Sequence, residues 1–352
     1  MIVLTGPNGA GKTNLLEALS LLAPGRGLRR AAFADMARAG GAGGWAVAVH
    51  LDGMEGPVRI GAAWDGAGEG SGGRRLMIAG KAAKSAGALG AHARVSWLTP
   101  AMDRLFTGPE GERRRFIDRL TAALDPGHAA RAAALERLLR QRNRLLEDIP
   151  GNGRWLDALE AQLAGAAVSV AAARLAALEA LKGGMAAVEK TGGAFPFAAL
   201  ALQGTVENQL AETPAVRVED SLREALARSR HVDAAAGRTL EGPHRTALEV
   251  VHGPSGMAAR LCSTGEQKAL LIAIILAHAA AVREQAGGLA PLMLLDEVGA
   301  HLDAARRRGL FQALEALGCQ AWMTGTEESL FEDLRGRALF LRVDGGHVAP
   351  AR

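Results

Sequence analysis

Residues Gly6-Pro7-Asn8-Gly9-Ala10-Gly11-Lys12-Thr13 set glycines, a lysine and a hydroxyl at the spacing G-x-x-x-x-G-K-T. Glycines let backbone N–H groups turn inward around phosphates, and a helix opening at Lys12 would add the partial positive charge of its N-terminus. Lys12 can reach the β- and γ-phosphates of a nucleoside triphosphate, and the Thr13 hydroxyl can bind Mg²⁺. Gly6, Asn8, Gly9, Gly11, Lys12, Thr13 and the following Asn14 are therefore the candidate triphosphate contacts. A chance glycine turn is the alternative. The flanking apolar run Ile2-Val3-Leu4-Thr5 and the helical pattern from Asn14 argue against it, being the strand and helix the motif requires.

A second set of chemical residues lies far along the chain. Leu292 to Leu295 is a continuous apolar run ending in Asp296 and Glu297, the pattern of a buried parallel strand. Asp296 can hold Mg²⁺, and Glu297 can orient or deprotonate an attacking water. The same pair could instead cap a neighbouring helix. Ser263-Thr264-Gly265-Glu266 precedes an apolar helical stretch. Ser263 and Gly265 at that N-terminus could form a second anion site, while Ser263 with Glu266 also fits an ordinary capping box.

These residues need elements to hold them. From Trp45 the period is two: Trp45, Val47, Val49 and Leu51 alternate, then Val58, Ile60 and Trp64, then Leu76 and Ile78, then Val95 and Trp97. Turns at Asp52-Gly53 and Asp65 to Gly73 separate the runs, and the four read as an antiparallel meander. Beyond Gly108 the period becomes helical through Leu135, Leu138, Leu139, Leu145 and Ile149. Pro150-Gly151-Asn152-Gly153 breaks it, and Trp155 to Leu181 resumes it. Two antiparallel helices of about 20–30 residues, roughly 30–45 Å each, are predicted, with Gly183-Gly184 and Gly192-Gly193 at the end of the arm. Strand and helix alternation returns after Arg238. The organisation is α/β: residues 1–108 as the first part of a head with its antiparallel lobe, 109–237 as an inserted helical arm, and 238–352 as the rest of the head.

Bulk properties exclude several classes. Hydrophobic residues make up 49% of the 352 and charged residues 22%, which is a globular balance. A net charge of +4 permits an anionic partner without requiring one. Cys262 and Cys319 are the two cysteines, too few for a disulfide framework. Ala269 to Val282 is shorter than a membrane span and reads as a buried core helix. A cytoplasmic protein without membrane attachment is expected.

The order of phosphate loop, serine-glycine turn on a long helix, and strand ending Asp-Glu resembles the ABC-type ATPases. That resemblance implies a head-to-tail homodimer that traps ATP between one copy's phosphate loop and the other's Ser263 and Gly265. Gly299-Ala300-His301-Leu302-Asp303 resembles the loop that crosses to the partner, with Asp303 near ATP, and Thr324 occupies the position of a γ-phosphate sensor. Within this class the chain is similar to the RecF family. Pro109 to Arg119 resembles "G-x-P-x-x-R-R-x-F-L-D", Gln141-Arg142-Asn143 its "Q-R-N", Gly242-Pro243-His244-Arg245 its "G-P-H-R", and Leu294 to Asp303 its "L-L-D-D-V-x-x-E-L-D". The resemblance implies a protein of DNA replication, recombination and repair, including the SOS response. It would bind DNA while ATP-bound and dimeric, help load recombinase at gaps with RecO and RecR, and hydrolyse ATP slowly. Arg26, Arg29, Arg30, Arg113, Arg114 and Arg115 are the DNA candidates, with solvated surface or internal salt bridges as the alternative for each.

This sequence departs from the family pattern in places. The strand-turn-strand segment usual before the phosphate loop is not present, which predicts an open flank on Ile2–Thr5 and a weakened adenine wall. Thr246-Ala247 replaces an acidic pair, and His301 stands where Glu is usual. Asp103, in the region that matches the transporter glutamine loop, receives no role, and no Gln occurs before Gln141. That last point separates the chain from transporter subunits, and the short arm separates it from SMC-type ATPases. A DNA clamp unable to hydrolyse ATP is a further alternative.

Overall fold

The strand that leads into the phosphate loop has neighbours on both sides. In the computed structural model, Ile2–Thr5 pairs in parallel with Ala321–Gly325 on one flank and with Leu339–Asp344 on the other. This corrects the expectation of an open flank: later strands of the same chain satisfy its N–H and C=O groups. The structure describes every residue except 42, 54–55, 67–72, 191–192, 301 and 352, and for 149, 150 and 190 the backbone alone. His301, Gly192 and most of the expected turn between Asp65 and Gly73 thus lie outside the described residues.

Two units divide the chain. The first comprises residues 1–104, 183–198 and 252–352, the second 105–182 and 199–251. The first unit holds a six-stranded sheet in the order His347–Pro350, Leu339–Asp344, Ile2–Thr5, Ala321–Gly325, Leu292–Leu295, Val95–Leu98. All its pairings are parallel except the hairpin of the first two. A separate antiparallel sheet runs Trp45–Gly53, Gly56–Trp64, Arg75–Ile78, Lys81–Ala82. Three of the four expected meander runs are there. Val95–Leu98 is not with them, because it pairs in parallel with Leu292–Leu295. All four of its residues are buried, where Trp45–Gly53 shows the alternation of a strand with one wet face. One core joins the two sheets, with Leu4, Leu16, Leu294 and Val343 packed among Ile60, Leu76 and Trp97.

Helix Thr264–Gln285 is buried around most of its circumference, as expected of its uninterrupted apolar run. The helical unit does give way to the first unit at Gly183, but the helix itself, Ile149–Lys190, does not end there and continues through Gly183-Gly184. The reason is packing. A Cβ on Gly184 would lie 2.1 Å from the Ala277 carbonyl oxygen, so the glycine allows the backbones to touch and the helix simply passes by.

In the second unit the arm turns earlier than its Pro-Gly-Asn-Gly stretch suggests. Helix His128–Leu145 ends, Leu146–Asp148 forms a 3₁₀ turn, and Ile149–Lys190 begins. Proline is tolerated in a first helical turn because its missing N–H would have had no partner there. Asn152 Nδ2 donates to the Leu145 carbonyl at 3.2 Å and satisfies one of the orphan groups at the preceding helix end. Leu135, Leu139, Leu163, Ala167, Val218, Leu222 and Leu226 form the apolar core.

That core also contains a buried cation, which explains the Gln-Arg-Asn block. Arg142 is fully buried. Its guanidinium donates to Glu160 Oε1 at 2.9 Å, Asp233 Oδ2 at 2.7 Å, Thr239 Oγ1 at 2.8 Å and the Leu226 carbonyl at 2.7 Å. Asn143 Oδ1 accepts both the amide and the hydroxyl of Thr239. The Gly-Pro-His-Arg block is tied in the same way: His244 Nε2 meets the Thr239 carbonyl at 2.9 Å, and Arg174 donates to the Pro243 carbonyl at 2.6 Å while holding Asp118 through two bonds. Thr246, which replaces an acid, donates to the buried Glu207 at 2.7 Å. Removing one member of such a network leaves opposite charges stranded. Arg142→Ala should therefore lower stability by about 3–5 kcal/mol, read as the midpoint shift in urea unfolding.

Candidate nucleotide site

The phosphate loop hands over directly to a helix without a side-chain cap. Gly11 is the N-cap of Lys12–Ser20 at φ 105°, a left-handed conformation in which a Cβ is strained, and no side chain accepts the first N–H groups. The Asn14 N–H turns back to the Gly11 carbonyl at 3.0 Å, and the donors before it have no side-chain cap, an opening suited to an anion. Lys12 Nζ donates to the carbonyls of Gly6 at 2.6 Å and Pro7 at 2.9 Å, which holds the ammonium within the loop. The loop is braced from the last hairpin. Gly346 N–H donates to the Ala10 carbonyl at 3.1 Å, and a Cβ on Gly6 would sit 2.1 Å from the Val343 carbonyl oxygen.

Strand pairing delivers the acids to the same place. Thr13 Oγ1 donates to Asp296 Oδ1 at 3.0 Å. Thr324 Oγ1 donates to the same oxygen at 2.8 Å and accepts the Glu297 N–H at 2.8 Å. Glu297 itself has φ 49°. The sequence-predicted Lys12, Thr13, Asp296 and Glu297 are thus assembled, and Thr324 joins them through its hydroxyl, a contact that the motif spacing could not reveal. The donor set offered to a cation, a threonine hydroxyl and a carboxylate, is all hard oxygen and fits Mg²⁺.

Glu17, three residues past Asn14, is given no role by the sequence motifs. It lies on the buried face of the helix with Lys12, Leu16 and Ser20. Burial lifts its carboxyl above the ordinary range, against the pull of the Arg29 and Leu28 amides. With Ser20, whose hydroxyl accepts the Leu28 N–H at 2.8 Å, it anchors Leu28 and Arg29 near the end of the basic stretch 24–30. Arg29 also donates to Asn14 Oδ1 at 3.1 Å, while Arg26 and Arg30 are exposed. Of the other arginines, Arg113 donates to the Gly108 carbonyl at 3.0 Å and Arg114 to the Thr246 carbonyl at 3.1 Å, whereas Arg115 is exposed. Asp103 lies 3.4 Å from Lys268 on the long buried helix.

Ser263 and Asp303 direct their hydrogen bonds elsewhere than this cluster. Ser263 and Glu266 form a complete capping box, so the capping alternative is realised in this state of the chain. The Ser263 hydroxyl and amide hold the Glu266 carboxyl below its ordinary range. A depressed carboxyl contributes above its unfolded pKa, and the contribution is lost as pH falls through the lowered folded value. Asp303 caps helix Ala304–Ala316 by accepting the Arg306 N–H. Arg306 Nη1 is also the nearest group to Gly265, 3.8 Å from where a Cβ would stand. Ser263→Ala should reduce stability by about 0.5–2 kcal/mol in chemical unfolding at neutral pH.

Residues 1–49 match the family model described as "AAA domain, putative AbiEii toxin, Type IV TA system". The DNA replication and repair protein RecF of Mesorhizobium japonicum is 54% identical over 349 residues, covering 99% of this chain and 91% of that protein. The same protein of Rhizobium meliloti is 50% identical over 350 residues, covering 99% and 92%. Among solved structures, the recombination mediator protein RecF-ATPrS of the RecFOR pathway superposes with a TM-score of 0.85 at 22% identity, covering 100% of this chain and 92% of that one. An Smc head bound to the C-terminal winged-helix domain of ScpA reaches 0.53 at 13% identity, covering 99% and 89%. These likenesses identify the fold as the ABC-type ATPase head.

Proposed function

The chain belongs to the RecF family of DNA replication and repair proteins, and on that footing we propose that it is an Mg-ATP-driven switch that pairs with a second copy of itself and then engages DNA. One observation carries this reading: Thr13, Asp296, Thr324 and Glu297 form a single hydrogen-bonded cluster beside an uncapped helix N-terminus. The uncapped N–H groups and Lys12 bind the triphosphate of ATP. Thr13 and Asp296 would hold Mg²⁺, which when bound neutralises phosphate charge. Glu297 takes the proton of the attacking water, in a slow reaction suited to a timer.

Ser263, Gly265 and Asp303 serve the second copy's nucleotide. In favour of this, Ser263 and Asp303 are exposed and spend their bonds locally. Binding of ATP on both sides then closes the dimer. DNA, gapped, single-stranded or duplex, meets the basic residues of that closed form. Arg26, Arg30 and Arg115 are better placed for it than Arg113 and Arg114, whose guanidinium groups already serve backbone carbonyls. RecO and RecR are the proposed protein partners, in the cytoplasm, by analogy with the RecF of the RecFOR pathway.

The test begins with Glu297→Gln. It should keep ATP binding, lower turnover by about 10²–10⁴-fold, and leave a longer-lived dimer on gel filtration with ATP. Lys12→Ala should abolish both binding and dimerisation. Wild-type turnover in Glu297→Gln would remove Glu297 as the base, whereas no turnover in the parent chain would favour the alternative of a DNA clamp unable to hydrolyse ATP. For DNA, replacing Arg26, Arg30 and Arg115 with alanine should weaken ATP-dependent binding and reduce the log–log salt slope by about 0.9 for each DNA phosphate that is no longer neutralised. An unchanged slope would return these arginines to plain surface.

A further inference from the structure

Thr324 lies next to the end of strand Ala321–Gly325, between the phosphate-loop strand and the strand that carries the acids, and it is fully buried. Its hydroxyl has one proton to give and lone pairs to accept with. The proton goes to Asp296 Oδ1 at 2.8 Å, and a lone pair takes the Glu297 N–H at 2.8 Å. Glu297 stands at φ 49°, where a side chain other than glycine's is strained and must be held by its surroundings. With Thr13 on the same Asp296 oxygen at 3.0 Å, an unbroken chain runs Thr13, Asp296, Thr324, Glu297.

We infer that Thr324 is a positioning residue that fixes the two acids relative to each other. Its hydroxyl locks the left-handed backbone of Glu297 and so aims the carboxylate of the general base, while keeping one Asp296 oxygen turned toward the sheet. This role does not require Thr324 to touch phosphate. It rests on the reading of Asp296 and Glu297 as the acids of ATP hydrolysis. The bond itself, however, can be judged without any hydrolysis.

The parent chain, Thr324→Val, Thr324→Ser and Glu297→Gln are compared first. Valine preserves shape and loses the hydroxyl, and serine keeps the hydroxyl. Hydrogen–deuterium exchange at the Glu297 amide, without nucleotide, should be at least about tenfold faster in Thr324→Val and close to the parent rate in Thr324→Ser. ATP turnover should fall about 10–100-fold in Thr324→Val with affinity for ATP within about threefold, and serine should restore it. Should valine loosen the sheet, Thr324→Cys, with a weaker donor and acceptor, should give intermediate exchange. Parent-like exchange in the valine or cysteine variant, or a serine variant as impaired as valine, overturns the inference, the second outcome by assigning the effect to packing of the methyl group. If Glu297→Gln turns ATP over normally, the hydrolytic reading fails, and the amide measurement still decides whether Thr324 holds the backbone.

Discussion

A strand of four residues cannot keep its place unaided, and the nucleotide site depends on one. Ile2–Thr5 is held because it is sandwiched between two parallel strands from distant stretches of the chain. Parallel pairing has a geometric consequence: the carboxyl ends of neighbouring strands come out at one edge of the sheet, where ligands of open α/β sheets bind. Leu4 lies opposite Thr324, and Leu295 opposite Met323. From that register alone, the phosphate loop, Thr324 and the Asp296-Glu297 pair emerge together. The chemistry then needs only short side chains to close the remaining distance.

The second unit solves a different problem. It has a modest apolar core, and within it buries Arg142 with two acids. Replacing such groups with apolar ones of similar size is often neutral or better for stability, so their value lies elsewhere. Each guanidinium here reaches several partners from distant stretches of sequence. Arg142 gathers residues near 160, 226, 233 and 239, and Arg174 gathers Asp118 and Pro243. A slipped helix would break all of these at once, which makes the network a means of fixing register among helices whose alanine-rich faces would otherwise slide.

Residues that act through local backbone geometry are legible in the sequence. The phosphate loop, the strand ending in acids and the serine that opens the buried helix each announce themselves by type and spacing, and the ABC-type head follows from their order. What is not legible depends on contacts across the fold. Val95 and Trp97 flank the polar Ser96, which gives the look of alternation and conceals that both faces of their strand are covered. Gly184 carries no sign that it meets a carbonyl instead of ending a helix. The flank of Ile2–Thr5 is filled by Leu339–Asp344, and no local signal in either segment names the other. Thr324 is marked in the sequence by its place in the strand that follows the acids, but the two groups that its hydroxyl joins are not.

The bracing of the phosphate loop has a consequence for synthesis. The loop leaves the ribosome well before the segments that hold it, since its strand is flanked by 321–325 and 339–344, and the Ala10 carbonyl is bound by Gly346. During translation the loop has no sheet to join, and the arm, with its local helical contacts, can fold while the loop waits. The phosphate loop is therefore assembled late. A ribosome stalled just past residue 251 would have made the whole helical unit while the phosphate loop still lacked its flanking strands and the brace from Gly346.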